Sequence, residues 1–172
     1  HKRTDNFRAS FEKSGKESIR KILVGLGSLS RGELAGERLE VALFSQDQED
    51  EHSCFSDNTH RDAVTNAQGI LNVWTGTYKQ ADGAVLKVPS LAELVGARAP
   101  EVAKKTTQQI QNSVKAASAI QAPFDREIIG GANAPGPKRV KATVDSLVEQ
   151  STLLVESANA IGITQLTLTL PR

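Results

Sequence analysis

Apolar residues recur at spacings of three and four along four stretches of this chain, the period of an amphipathic helix. The clearest lies near the C-terminus. There Val140, Val144, Leu147, Val148, Ser151, Leu154, Val155, Ala158 and Ile161 draw one stripe of about six turns at 3.6 residues per turn. Gly136-Pro137 marks its start and Gly162 its stop, because proline is preorganised for the first helical position and glycine for the position past the end. Before it, Val102, Ala103, Thr106, Ile110, Val114, Ala117 and Ile120 predict a helix from near Pro100 to before Pro123. Its narrower, alanine-rich face predicts close packing.

A third stripe, Ala63, Ala67, Ile70, Leu71, Trp74 and Tyr78, opens on Thr59 with Asp62 three residues on, the form of a capping box. Trp74 on that stripe reads as core. The first helix opens on a similar pair, Ser14 and Glu17, carries Ile19, Ile22, Leu23, Leu26 and Leu29, and continues, if kinked, to about Phe44. Gly25, Gly27, Gly32 and Gly36 interrupt it. Each weakens a helix by about 1 kcal/mol relative to alanine, so close approach of a neighbouring backbone is the expected compensation. Ser45 to Ser56, the Asp82-Gly83 turn, a short helix capped at Ser90 to Glu93, and the loop from Gly130-Gly131 to Pro137 are connections. Thr164 to Leu170 alternates leucines with polar residues, as a short strand or an extended tail does. The pattern predicts an all-α fold over residues 1–172, an antiparallel four-helix bundle with one long polar connection.

Size and composition support one globular domain: 172 residues, 38% hydrophobic, with Lys+Arg at 21 against Asp+Glu at 20. That balance leaves no positive excess to neutralise a phosphate backbone, which argues against nucleic acid as a partner. A single cysteine, Cys54, excludes an intramolecular disulfide and every CxxC motif, and reads as a small semi-buried residue. No apolar run approaches a membrane-spanning helix, and the opening HKRTDNFRAS is too polar for a signal-peptide core. The chain starts on His1, contains no methionine and ends Leu170-Pro171-Arg172, which predicts a piece of a longer protein with any export signal, anchor or further domain upstream.

Charge is unevenly spread. Residues 1–31 hold 8 basic and 3 acidic side chains, whereas residues 33–62 hold 9 acidic and 2 basic, and His52 and His60 fall inside the acidic segment. Carboxylates together with imidazoles are what a divalent or ferric cation takes, so His52, Asp57 and His60 are candidate metal ligands for iron or zinc. Glu49 to His52 and Asp57 to His60 have the carboxylate-x-x-His spacing that shares one face if helical, and Glu33, Glu37 and Glu40 share a face upstream. The plain alternative is a solvated connection whose Asp57 and Asn58 cap the next helix and complement its dipole. HExxH, the P-loop, GxGxxG and GxSxG are absent, so zincin, nucleotide-binding and α/β-hydrolase readings have no anchor.

The succession Gly25-Leu26-Gly27-Ser28-Leu29-Ser30, Gly32-Glu33-Leu34-Ala35-Gly36-Glu37-Arg38, Val41-Ala42-Leu43 and Asp47-Gln48-Glu49-Asp50-Glu51-His52-Ser53-Cys54-Phe55-Ser56-Asp57-Asn58-Thr59-His60 resembles the imelysin family of bacterial imelysin-like peptidases. The likeness is specific from about residue 24 to 77; Asp82-Gly83, Ser90-Leu91 and Leu94-Val95 fit the same pattern. The resemblance implies two helical bundles, a periplasmic or outer-membrane-anchored protein, and a link to iron uptake. The family's GxHxxE signature belongs to the first bundle and is absent here, so the chain is similar to the second half alone. By the same resemblance a metal or ligand site lies where the bundles meet, and the matching residues are Glu37, Arg38, Asp50, Glu51, Ser56, Asp57, Asn58 and His60. The implied partners are the N-terminal bundle and a peptide substrate or iron-uptake partner. Two alternatives follow: a metallopeptidase whose HxxE lies in the other half, this chain alone being inactive, and a structural bundle that docks a partner.

Overall fold

The structure, a computed structural model, describes residues 6–164 and 166. The chain is mostly helical, as expected. In order come α1 (Phe7–Lys13), α2 (Lys16–Ser28), a π-helical stretch (Leu29–Glu40), α3 (Val41–Ser45), a 3-10 turn (Gln48–Asp50) and α4 (Thr59–Thr75). A small hairpin of β1 (Thr77–Lys79) and β2 (Val85–Lys87) follows, then α5 (Leu91–Gly96), α6 (Pro100–Ala119), α7 (Phe124–Glu127) and α8 (Pro135–Ala160). Helix α8 packs against α6, α2 and the π-helical stretch, while α4 packs against α6.

The expected long first helix is present, and its departure from α geometry is the π-helical stretch that joins α2 to α3. A π turn bonds residues five apart, so side chains at that spacing come together. Glu33 and Arg38 meet this way at 2.9 Å. The stretch is tied to α8 where it begins: the Ser30 hydroxyl donates to the Leu26 carbonyl at 2.7 Å and accepts from Gln150 Nε2 at 2.7 Å. Of the glycines there, Gly27 and Gly32 are buried, but Gly25 faces outward and an added Cβ would meet nothing within 4 Å. Close backbone approach does not explain Gly25.

Two apolar clusters fill the interior, and the periodic stripes are their material. One joins Leu34 and Leu39 to Ala63, Ala67, Ala117, Phe124, Val140 and Leu147; the other joins Leu23 and Leu26 to Ile70, Trp74, Val95, Ile110 and Leu154. Trp74 is fully buried, and its indole N–H donates to the Thr107 hydroxyl at 2.8 Å. The α6–α8 contact also buries polar groups, which must be paired there. Thr106 and Ser157 hydroxyls lie 2.9 Å apart, and Gln109 Nε2 donates to the Ser146 carbonyl and hydroxyl, each at 2.9 Å.

Several boundaries differ from the sequence reading. Helix α1 precedes the expected start, capped by Asn6 Oδ1, which accepts from the Ala9 N–H at 3.0 Å. Ser14 does not cap α2. Its hydroxyl donates back to the Ser10 carbonyl at 2.6 Å, and Gly15 at φ +52° starts α2 instead. Helix α4 stops at Thr75, before Tyr78, because Gly76 turns left-handed at φ +62° and the Val88 carbonyl lies where a Cβ would sit. Tyr78 then stands opposite Leu86 in the hairpin, whose Asp82-Gly83 turn is the expected one, with Asp82 Oδ1 accepting from the Ala84 N–H at 2.9 Å. The Ser90/Glu93 capping box forms at both bonds, 3.0 and 3.1 Å. Helix α7 was not foreseen. It is held by Glu127, which takes two bonds from Arg139 at 2.6 and 2.7 Å, and Gly136 admits it by lying where a Cβ would come within 2.6 Å of the Glu127 carbonyl. Most of the alternating tail, 164–170, lies outside the described residues.

Candidate functional site

The polar connection between α3 and α4 is fastened at several points. It leaves α3 at Gln46, left-handed at φ +56°, whose side-chain amide donates to the Gly130 carbonyl at 2.7 Å. Asp47 Oδ1 then accepts from the Glu49 N–H at 3.0 Å and opens the 3-10 turn. Further on, the Ser53 N–H donates to the Thr59 hydroxyl at 3.1 Å and the Ser53 hydroxyl donates to the Asp62 carboxylate. Thr59 and Asp62 therefore do not form the capping box their spacing predicts; they anchor the connection instead. Asn58 occupies the N-cap position of α4 without a side-chain capping bond. Asp57, beside it, is left-handed at φ +55°, a conformation aspartate tolerates better than most residues.

Arg38 extends this frame into the long helix. It pairs with Glu33 and also donates to Asn66 Oδ1 at 3.2 Å, while Asn66 Nδ2 donates to the Asp62 carbonyl at 2.7 Å. Arg38, Asn66, Asp62 and Ser53 thus link three segments.

Within the frame, Glu51 is the anomaly. It is 4% exposed, and neither carboxylate oxygen has a hydrogen-bond partner. Burial pushes its pKa above the ordinary carboxylate range; the Thr59 hydroxyl, close enough to favour the carboxylate although it does not meet hydrogen-bond geometry, opposes that, and the Asp57 and Asp125 carboxylates reinforce it by repulsion. Asp125 Oδ1, on α7, is itself buried without a partner, and so is His60 Nδ1 in the first turn of α4. Buried polar atoms are ordinarily paired, so the orphaned Glu51 carboxylate with the Asp125 carboxylate near it marks a place that can take hydrogen-bond donors or positive charge; His60 Nδ1 is a further orphan in the segment that follows the connection.

The other sequence candidates differ from Glu51 in burial. Glu37, Asp50, Ser56, Asp57, Asn58 and His52 are exposed, and Arg38 and His60 are half-buried. The two carboxylate-x-x-His spacings are not realised on a helix: Glu49 lies in the 3-10 turn, His52 follows it, and Asp57 precedes α4. Among the described residues, no three His, Cys, Asp or Glu side chains are grouped so as to hold a metal ion, so His52, Asp57 and His60 do not form a ligand set by themselves. Glu33, Glu37 and Glu40 lie on the π-helical stretch, where Glu33 is drawn to Arg38. Cys54 is half-buried and free, as expected. Asp125 escaped the sequence reading, because it belongs to a one-turn helix with no periodicity and reaches the site only through the fold.

A mostly helical domain with an acidic connection gathered at one end is thus the class that fold and site define. Residues 1–154 match the model of the imelysin family, a peptidase family, and the chain belongs to it. That match contains the whole of the acidic connection and Asp125. Comparison with curated proteins found no match.

Proposed function

We propose that this chain is one half of a binding site in an imelysin-like protein: the acidic connection, with Glu51, Asp57, His60 and Asp125, receives a metal ion or another cationic ligand. The observation that supports this most is the Glu51 carboxylate, buried with both oxygens unpartnered beside two further carboxylates. In this reading the helices form the second of two antiparallel bundles in a periplasmic or outer-membrane-anchored protein linked to iron uptake, and the first bundle is the partner. The donors present fit a metal only in part. Carboxylate oxygens and an imidazole nitrogen suit iron or zinc, but the set is incomplete within the described residues, so remaining ligands come from the partner or solvent.

Melting of the purified chain with added Zn²⁺ or Fe²⁺, against a chelated control, tests the reading, with metal content of the protein carrying both bundles measured beside it so that a null result in the chain alone counts only when the two-bundle protein also retains no metal. A ligand at 100 times its Kd stabilises the native state by about 2.7 kcal/mol. At roughly 2–4 °C per kcal/mol for a chain of this size, that raises Tm by about 5–10 °C. The shift is expected to vanish in Glu51→Gln and in the double variant Asp57→Ala/His60→Ala. No shift with either metal together with no metal retained by the two-bundle protein, or a shift that survives in both variants, removes these residues from the site and returns the connection to a purely structural role.

A further inference from the structure

We propose that the hairpin is a self-association surface: the outer edge of β2 pairs antiparallel with the same edge of a second copy of this chain, about a two-fold axis at Leu86. The hairpin's own bonds fix which backbone groups are left over. The Val88 N–H donates to the Gly76 carbonyl at 2.9 Å and the Gln80 N–H donates to the Ala84 carbonyl at 2.8 Å, so the even-numbered residues turn inward along the ladder. Backbone groups of alternate residues in an antiparallel pair point in opposite directions. Thr77, Lys79, Val85 and Lys87 therefore point theirs outward. The two outer edges differ. That of β1 is turned toward α4, where Asn72, with its amide nitrogen set toward the acceptors around it, donates to the Thr77 carbonyl at 3.2 Å. All three residues of β2 are exposed, and the outward groups of Val85 and Lys87 have no partner among the described residues.

The sequence along that edge is complementary to itself. Pairing Val85 with Lys87 of the second copy, and Lys87 with its Val85, satisfies every outward group of β2 and sets the two copies of Leu86 face to face at the closely spaced position. One face of the joined sheet then reads Tyr78, Leu86, Leu86, Tyr78 across its four strands, with Val88 opposite Ala84 on either side. Tyr78, Leu86 and Val88 are 53%, 52% and 47% exposed and line one hollow together with Val73, so they share that face and gain cover from the pairing. No lysine stands directly opposite a lysine, which would oppose the contact. At one end of the edge Gly83, at φ +89°, turns the chain away, and at the other Pro89 offers no N–H. With two residues free to pair, the contact closes as a two-fold dimer instead of growing into an open array. The 17 residues of α4 put about 25 Å between the hairpin and the acidic connection, so the pairing leaves clear the end at which the other bundle is expected. This inference goes beyond the metal-linked reading and does not depend on it, because it rests on the β2 edge rather than on Glu51.

Sedimentation of the whole chain over a concentration series tests this, with amide exchange followed at Val85, Lys87 and Lys79. A contact of this size is weak, so the dimer is expected to form with a Kd on the order of 10–100 µM. Exchange at Val85 and Lys87 should slow as the dimer fills, whereas Lys79, on the other edge, should not change. Leu86→Asp opposes two carboxylates at the axis, and Lys87→Pro removes an outward donor without removing a bond of the hairpin. Each should weaken the dimer at least about tenfold. Both substitutions fall on exposed residues, and the exchange readout on the unaltered chain stands whether or not a variant folds. A monomer throughout the series, a dimer that persists in both variants, or an assembly that keeps growing with concentration overturns the proposal. So does protection of Val85 and Lys87 that is independent of concentration, which would mean that the edge is covered within one chain. The Zn²⁺ or Fe²⁺ melting shift is read separately, so either proposal can fail without the other.

Discussion

Replacing Glu51 by glutamine should make the metal-free protein more stable. The carboxylate is buried with neither oxygen paired, and two other carboxylates stand near it. Leaving a buried polar group unsatisfied costs about 1–3 kcal/mol, and more when it is charged. Glu51 lies under a fastened loop rather than in either apolar cluster, so the lower part of that range applies, about 1–2 kcal/mol. The pH dependence carries a definite sign. With its pKa raised in the folded state, the native protein holds a proton that the unfolded chain releases above about pH 4.3, so stability is greatest on the acid side and falls as pH rises through the folded value. Glutamine cannot ionise. The variant should therefore match the wild type near pH 4, exceed it by about 1–2 kcal/mol at pH 7, and lack that falling limb. Urea unfolding in the presence of chelator across that range measures the difference. A variant less stable than the wild type at pH 7 would mean that the carboxylate has a favourable partner, and the reasoning would fail.

Other substitutions probe the frame. Gly25→Ala and Gly69→Ala place a methyl on exposed helical positions where nothing lies within 4 Å, and each should stabilise by about 0.5–1 kcal/mol in thermal or urea unfolding. Glu127→Gln should cost about 2–3 kcal/mol, since it leaves the Arg139 guanidinium, held at 2.6 and 2.7 Å, without its counter-charge; Arg139 is partly exposed, which keeps the loss below that of a fully enclosed pair. Its pH signature is opposite to that of Glu51. The Arg139 hydrogen bonds hold the Glu127 carboxyl below the usual range, so this contribution is present above about pH 4.3 and is lost as pH falls through the lowered value. An acid limb of the stability profile as steep in the variant as in the wild type would sink that assignment.

The long helices were legible because burial imposes a period. Val140, Val144, Leu147, Leu154 and Ala158 face inward as their spacing requires, and so do Ala63, Ala67, Ile70 and Trp74. Helix ends were less legible where a polar side chain had two possible partners. Thr59 and Asp62 have the spacing of a cap, yet Ser53 takes both, and no rule of local spacing could choose between those outcomes. Of the polar seam between α6 and α8, Thr106 lay on a predicted stripe, but Gln109, Ser146 and Ser157 fell outside an apolar-period reading because these residues pair with each other across two helices. At the site, the sequence marked the acidic connection as unusual, but it could not single out Glu51 from five neighbouring acids. Burial does that, and burial is a property of the closed loop. Asp125 shows the same limit more sharply, since the chain between it and Glu51 runs through all of α4, the hairpin, α5 and α6.

The fastening of the connection explains how an unpaired Glu51 persists. A surface loop with a buried, repelled carboxylate would ordinarily swing outward and let water solvate the charge, recovering the desolvation cost for little loss. Here that motion would break the Ser53 bonds to Thr59 and Asp62 and the Gln46 bond to Gly130. Arg38 and Asn66 hold Asp62 in turn, so the loop is braced from the long helix as well as from α4. Each neutral bond contributes about 1 kcal/mol and those to a carboxylate somewhat more, so together they outweigh the cost of one shallowly buried carboxylate. Local cost maintained by surrounding order is the energetic form a preorganised binding site takes, and under the proposed function a cation arriving at Glu51 would meet an acceptor with few competing partners. A helix-capping role alone would not require the carboxylate to be kept in this state.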